Sequence, residues 1–283
     1  MPDPTPAPAP PPTATTPAAR PTAPPDAAPG LGDRTGSDRF GRTLRLELVD
    51  QDLRDWEAVV LDADPARGLV LDRSAFYPGG GGQAADHGVL TWDGGRTRII
   101  GTRREEDPWL LPHADDPLPA AGTRVRAELD DVRRTGLMRT HSALHLLSGI
   151  VFRDVGAQVT GGNMEPLQAR MDFSLPTVPD GFREALTRAC AEEIAADRPI
   201  TAFTLPREDA FARYPDLIRT ATNLLPDDLQ EVRIVDIAGL DTQADGGTHV
   251  ASTRLIGGIE IVKVENKGKG FRRVRIRITP GPG

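Results

Sequence analysis

Cysteine is nearly absent from this sequence. The single thiol, Cys190, has no partner for an internal disulfide, which fits a reducing compartment and leads us to expect a cytoplasmic protein. Long apolar runs are missing as well. Nothing approaches the roughly 20 residues a membrane helix needs. The N-terminus lacks the basic start and apolar stretch of a secretory signal. There is no excess of positive charge: the formal net charge is −7. That argues against a protein that coats nucleic acid non-specifically, though not against a local basic patch. The hydrophobic share of 38% and charged share of 27% fit a soluble globular protein with a disordered part. At 283 residues, the chain has room for two modest domains.

Proline, by contrast, is crowded into one place. Residues 1–30 hold 12 of the 27 prolines, interleaved with Ala and Thr. With no large side chains to offset ordering entropy, this stretch reads as a disordered tail that leans to polyproline II and ends near Phe40. A ligand for a proline-binding domain is the other reading. From Thr43 to about Asp131 the rhythm is that of short strands. "TLRLELV" alternates Leu44, Leu46 and Leu48 with Arg45 and Glu47, a half-buried strand. "WEAVVLDAD", "GLVLD", "HGVLTWDG", "RTRIIGTR" and "TRVRAELD" follow, separated by turn residues, which suggests a small barrel.

From Gly136 the period lengthens. "TGLMRTHSALHLLSGIVFRDV" predicts one helix, and "DGFREALTRACAEEIAADRPI" a second with Asp180 as N-cap. Cys190 falls inside the second and reads as a buried small hydrophobe. Strands and a short helix complete an α+β region. The expected organisation is a tail over 1–40, a β-barrel domain over 41–132 and an α+β domain over 133–283.

Five histidines are present. His141 and His145 are four apart on the first predicted helix, so both project from one face and could give two nitrogens to one metal ion. Ser142 stands where a metalloprotease helix would carry its glutamate. About a hundred residues on, "DTQADGGTHVAST" offers Asp245 and His249 around two glycines. Together these make three nitrogens and one oxygen, enough for a four-coordinate site or one with a place for water. Taken singly, each stretch has a plainer reading: helix-face histidines, and an Asp-Gly turn. His87 and His113 read as surface residues. "SAFYPGGGGQAADHG" carries four consecutive glycines, Gly79 to Gly82, a loop whose backbone can approach a ligand closely. It is no phosphate-binding P-loop, since no Lys-Ser/Thr pair follows.

In this order and at these distances, the three stretches resemble the editing domain of alanyl-tRNA synthetase and its free-standing relatives, the AlaX trans-editing proteins. "IVKVENKGKGFRRVRI" resembles that family's C-terminal ending. The resemblance spans roughly Thr43 to Ile278, and nothing resembles the aminoacylation core. It implies a barrel beside an α+β domain like the second additional domain of threonyl- and alanyl-tRNA synthetases. It places metal ligands, nominally for one Zn2+, at His141, His145, Asp245 and His249, and an editing-site glutamine at Gln83. Asp245 is a departure, because the family motif has cysteine there. Aspartate is harder and less zinc-selective, so the identity of the ion is left open.

The implied substrate is tRNA(Ala) mischarged with serine or glycine, and the implied reaction is hydrolysis of the aminoacyl ester. Membrane and DNA are not expected partners. Thr140, adjacent to His141, is a candidate to bond a serine hydroxyl and disfavour alanine. Lys263, Lys267, Lys269, Arg272 and Arg273 form a local basic stripe suited to an RNA backbone. The same stretch also reads as a strand with Val274, Ile276 and Ile278 inward and arginines outward. Two rivals stand beside the editing reading: a tRNA-binding protein with a decayed site, and a metal-dependent hydrolase of another ester.

Overall fold

Alternation of apolar and charged side chains builds the first half of the chain. In the computed structural model, which describes residues 39–223 and 225–281, "RVRAEL" is a strand with Val125, Ala127 and Leu129 buried. Its charged residues face out, as a period of two demands. The elements of this half are β1 (Arg39–Phe40), β2 (Thr43–Arg45), β3 (Asp55–Asp64), β4 (Gly68–Leu71), β5 (Arg73–Ser74), β6 (Gly88–Trp92), β7 (Gly95–Arg104), β8 (Pro108–Pro112) and β9 (Arg124–Leu129). Among the described residues, a closed barrel forms in the order β3-β4-β8-β7-β6-β9. Its interior is filled by Trp56, Leu69, Leu71, Leu90, Ile99 and Leu110 among others. Closure leaves no free edge to pair with another chain.

The second half runs α1 (Asp131–Val155), β10 (Val159–Glu165), β11 (Gln168–Ser174), α2 (Phe182–Ala195), β12 (Ile200–Pro206), α3 (Arg207–Arg213), β13 (Glu231–Ile237), β14 (Asp241–Ala244), β15 (Gly258–Asn266) and β16 (Phe271–Thr279). Here the strands form one sheet in the order β10-β11-β16-β15 and another in the order β12-β13-β14. The long helix α1 is enclosed: Leu137, Leu144, Leu147 and Ile150 join a core with Leu186 and Ile194 of α2 and Val274, Ile276 and Ile278 of β16. Asp130 caps α1 by accepting the Arg133 N–H at 3.0 Å, and Gly156 ends it in the left-handed region at φ 67°. Gly149 lets β14 lie against the helix, since a Cβ there would come 2.7 Å from the Cβ of Asp241. The molecule is thus mixed α+β with a closed barrel.

Several elements depart from the sequence reading. The proline-rich tail lies outside the described residues, apart from Arg39 and Phe40, which pair with Leu44 and Thr43. "TLRLELV" is a strand only to Arg45. Leu46–Leu48 turn as a 3-10 helix, which carries Glu47 inside to meet Arg45 at 2.7 Å. A period-two pattern cannot show that ion pair. β8, bracketed by prolines, and β10, β11 and β14 are strands that the sequence pattern does not mark. Helix α1 begins at Asp131, ahead of Gly136. The N-cap of α2 is Gly181, at φ 68°, rather than Asp180.

The barrel and α1 are joined through one buried guanidinium. Arg134 is fully buried, and its Nε and Nη2 donate to Asp86 Oδ2 at 2.9 and 2.5 Å. Its Nη1 donates to the Gln51 carbonyl at 3.0 Å, and Nη2 also reaches the Ala75 carbonyl. Removing one partner of such a pair strands the other without water. Asp86→Ala is therefore expected to cost about 3–5 kcal/mol of stability in denaturant unfolding. Replacing both residues together, Asp86→Leu with Arg134→Met, is expected to cost less. Equal losses would show that the pair carries no special energy.

Candidate metal and active site

Two elements that are far apart in sequence build the site. Helix α1 presents His141 and His145 on one face, and the bend after β14 brings Asp245 and His249 to meet them. One ligand-type atom from each of the four lies within 4.8 Å of every other. Asp245 Oδ1 sits 3.5 Å from His141 Nε2 and 3.9 Å from His145 Nε2, while Oδ2 is 3.1 Å from His249 Nε2. A tetrahedral ion with bonds of ~2.1 Å has ligand–ligand edges of ~3.4 Å, so these separations suit a common ion. The imidazoles pack ring against ring, with centroids 4.4 to 4.9 Å apart.

The surrounding hydrogen bonds orient these rings. Gln83, from the glycine-rich loop, accepts the Thr248 N–H on Oε1 at 3.1 Å and donates from Nε2 to Thr248 Oγ1 at 2.9 Å. The backbone donor fixes which end of the amide is oxygen. The same Oε1 lies 2.9 Å from His141 Nδ1, so Nδ1 must carry the proton. His141 Nε2 is then left as a lone pair facing the cluster, the arrangement a metal-binding histidine requires. Ser142 Oγ, which accepts the Val250 N–H at 3.1 Å, lies 3.3 Å from His249 Nδ1. The His249 N–H donates to Gln51 Oε1 at 2.7 Å. Sequence reasoning singled out Gln83 but missed Ser142, Thr248 and Gln51. Nothing in their local pattern marks them; only the fold brings them to the histidines.

Burial sets the charge state. It pushes His145 down to about 4, with Asp245 partly opposing. Burial also lowers His141 against Asp245, and takes His249 well below the usual histidine range. Burial by itself would raise the Asp245 carboxyl, but the surrounding imidazoles hold it well below the ordinary carboxylate range. Near neutral pH the site presents three neutral imidazoles and one carboxylate, the protonation state a divalent cation needs.

The cluster lies at the wall of a cleft of about 610 Å³, lined by Gly81, Gly82, Leu144, Met164, Met171 and Gln243 among others. The structure does not bring Thr140 into it. The Thr140 hydroxyl is fully buried, donates to the Gly136 carbonyl at 2.8 Å and accepts the Leu167 N–H at 2.8 Å. Its one proton is used within the helix, so the expected contact to a substrate hydroxyl does not fit this geometry. The basic stripe is placed along β15, β16 and their turn, and it is mostly paired. Lys267 and Arg273 hold the buried Asp172, and Lys263 meets Glu265 at 3.0 Å. Arg272 donates to the Pro176 carbonyl at 3.0 Å. Lys269 is exposed in the turn. Cys190 is buried, and burial pushes its thiol up to about 12, so it is inert. His87 and His113 are half-buried to exposed and remote from the cluster.

Similarity to known proteins agrees with this geometry. The family described as the threonyl and alanyl tRNA synthetase second additional domain matches residues 232–275, which include Asp245 and His249. The family of class II (A) tRNA synthetases matches residues 53–133. The alanyl-tRNA editing protein AlaX-M of Saccharolobus solfataricus is 36% identical over 240 residues, covering 84% of this chain and 100% of that protein. The chain belongs to the AlaX-M family of alanyl-tRNA editing proteins. The AlaX-M of Methanosarcina barkeri is 34% identical, covering 82% of this chain and 97% of that protein. The alanine–tRNA ligase of Caldivirga maquilingensis is 35% identical over 85% of this chain, but the match covers only 27% of the ligase. This AlaX-M family member thus corresponds to a whole editing protein and to one part of a ligase.

Two outcomes test the site. Gly247 faces the His141 ring so closely that an added Cβ would overlap it and lie 2.6 Å from Gln83 Oε1. Gly247→Ala is expected to lower affinity for added Zn2+ by at least about tenfold, the effect usual when groups around a ligand histidine are disturbed; equilibrium dialysis measures it. The second outcome is a pH dependence. His145 has a folded pKa of about 4 against an ordinary value of 6.5. Between those values the unfolded chain binds the extra proton, so metal-free protein is expected to lose stability as pH falls from about 6.5 to about 4. Thermal melting after chelation reads this, and His145→Gln should flatten the slope in that window.

Proposed function

We propose that this chain is a trans-editing deacylase. It cleaves the ester between a wrongly attached serine or glycine and tRNA(Ala). The observation that carries this reading is the closed set of His141, His145, Asp245 and His249, oriented by Gln83, at the wall of a largely apolar cleft. The relatives matched over nearly their whole length are named alanyl-tRNA editing proteins. That supports assigning the same reaction here. We take residues 41–132 and 133–283 as its working domains, the second being the one like the synthetase second additional domain.

The four side chains would hold one divalent ion, taken as Zn2+, with Asp245 supplying the only charge among the ligands. When bound, such an ion would orient the aminoacyl end and polarise its carbonyl. The remaining work falls to the chain. Gln83 keeps the His141 proton on Nδ1, so the ring stays in one tautomer. Gly81 and Gly82, both with positive φ, bring backbone N–H groups to the edge of the cleft, where they are suited to donate to an ester oxygen. Leu144, Met164 and Met171 give the cleft wall an apolar stretch suited to a small side chain. Gln243 and Asn163 are the amides on the cleft wall able to meet a serine hydroxyl. Lys263, Lys267, Lys269, Arg272 and Arg273 would flank the tRNA backbone, with the lysines more exposed than the two arginines.

The decisive measurement is deacylation of Ser-tRNA(Ala), Gly-tRNA(Ala) and Ala-tRNA(Ala) by the purified chain. Loss of serine or glycine with alanine retained is expected, and His141→Ala should reduce the rate by at least about a hundredfold. Binding of tRNA without any hydrolysis would instead make this a tRNA-binding protein with an inactive site. Hydrolysis of small esters with no tRNA dependence would assign another substrate.

A further inference from the structure

A second cleft, of about 410 Å³, also reaches Asp245. It shares Gly81, Leu225, Asp245 and Gly246 with the first. Its remaining wall differs in chemistry. The second cleft sets Arg45, Arg104 and Arg233, with Tyr77, among apolar side chains such as Leu48, Leu229 and Val232, whereas the one arginine on the first cleft's wall, Arg219, is already paired with Asp241. The side chains of opposite sign on this wall are Glu231 and Asp245 itself.

Each arginine keeps donors free. Arg233 gives Nη1 to the Asp245 carbonyl at 3.0 Å, while its Nη2 is buried with no partner. A guanidinium nitrogen without an acceptor is costly to bury, so this group is poised for an acceptor from outside the chain. Arg45 uses Nε on Glu47 at 2.7 Å, and among the described residues its two terminal nitrogens bond nothing. Arg104 donates from Nη1 to the Gly79 carbonyl at 2.7 Å and is otherwise exposed. Three planar forks around one hollow match a phosphate, whose oxygens accept paired N–H bonds.

We propose that this second cleft is a phosphate subsite for the phosphodiester that joins the last two nucleotides of an RNA 3′ end. The inference rests on the editing reading, because that reading places the terminal ribose between the clefts. In an aminoacyl-tRNA the amino acid is esterified to the 2′ or 3′ oxygen of the last sugar, and the phosphodiester leaves the same sugar at its 5′ oxygen. An ester held near Asp245 in the first cleft therefore sends the phosphate outward by way of the residues both clefts share. The subsite would fix the sugar from its far side, and so place the ester without any contact to the amino acid.

The test is binding of the dinucleotide CpA, of adenosine and of inorganic phosphate to the full-length chain, followed calorimetrically. CpA is expected to bind more tightly than adenosine, and Arg104→Gln to weaken CpA about tenfold, as loss of one charge-assisted contact would. Arg104→Lys should recover part of that loss, and Arg45→Gln should act in the same direction as Arg104→Gln. Melting curves confirm that each variant is folded. Equal affinity for CpA and adenosine, or an Arg104→Gln loss of the same size for both, overturns the proposal. So does inorganic phosphate that competes as well as CpA, which would make the site one for the free ion. Arginine-dependent CpA binding in a chain that deacylates no tRNA would leave the subsite standing and remove the editing reaction.

Discussion

A buried ion pair, Arg134 with Asp86, is the contact on which the site depends. Arg134 lies on α1 ahead of His141, on the same helix, and Asp86 follows the glycine-rich loop that carries Gln83. Asp86 Oδ2 also accepts the Tyr77 N–H at 2.8 Å, so both arms of the loop are tied to one carboxylate. Without this junction, nothing as strong would hold the loop in register with the helix. The pair is fully desolvated, which makes it a weak source of net stability but a strict demand on geometry. Its effect is to deliver an amide oxygen from the barrel to a histidine on the helix.

The metal-type cluster is the second consequence of that docking. Four polar side chains are crowded into a nearly dry space, where each would be unfavourable without the others. Burial keeps the imidazoles neutral near neutral pH, and as pH falls they take up protons before the Asp245 carboxylate does, which keeps its pKa low. The cationic side chain beside Asp245 is Arg233, which donates to its carbonyl at 3.0 Å, and none of the four ligand-type residues is itself cationic near neutral pH, so the set could hold a divalent cation. If an ion is held there, stability and metal affinity are coupled, because a change that loosens the bend after β14 would act on both.

The two clefts differ in the charged side chains on their walls. One reaches the histidines; the other sets three arginines among apolar side chains, and both meet at Asp245 and Gly246. A neutral side chain and a phosphate lie on different sides of an aminoacyl ester, and the proposed subsite would use that division. The stripe on β15 and β16 has a different balance. Much of its charge is absorbed within the protein, since Lys267 and Arg273 close around the buried Asp172. Charge density in a sequence window thus overstates what is free for RNA.

The sequence by itself determined the elements with clear periods. The alternation in "TRVRAELD" and "FRRVRIRITP", and the helical spacing around His141 and His145, specify local structure because side-chain direction is set by backbone geometry. It also marked the four ligand-type residues, since an i, i+4 histidine pair and a carboxylate–imidazole pair around two glycines are legible as donor sets. Only the tertiary structure decided which neighbours those donors have. Ser142, Thr248 and Gln51 come from a helix, a bend and a loop, and their roles exist only after docking. It also turned Thr140 away and put Glu47 inside, against the patterns around them. Tertiary packing chooses between a side chain's available partners by desolvation, and that choice leaves no periodic trace in the chain.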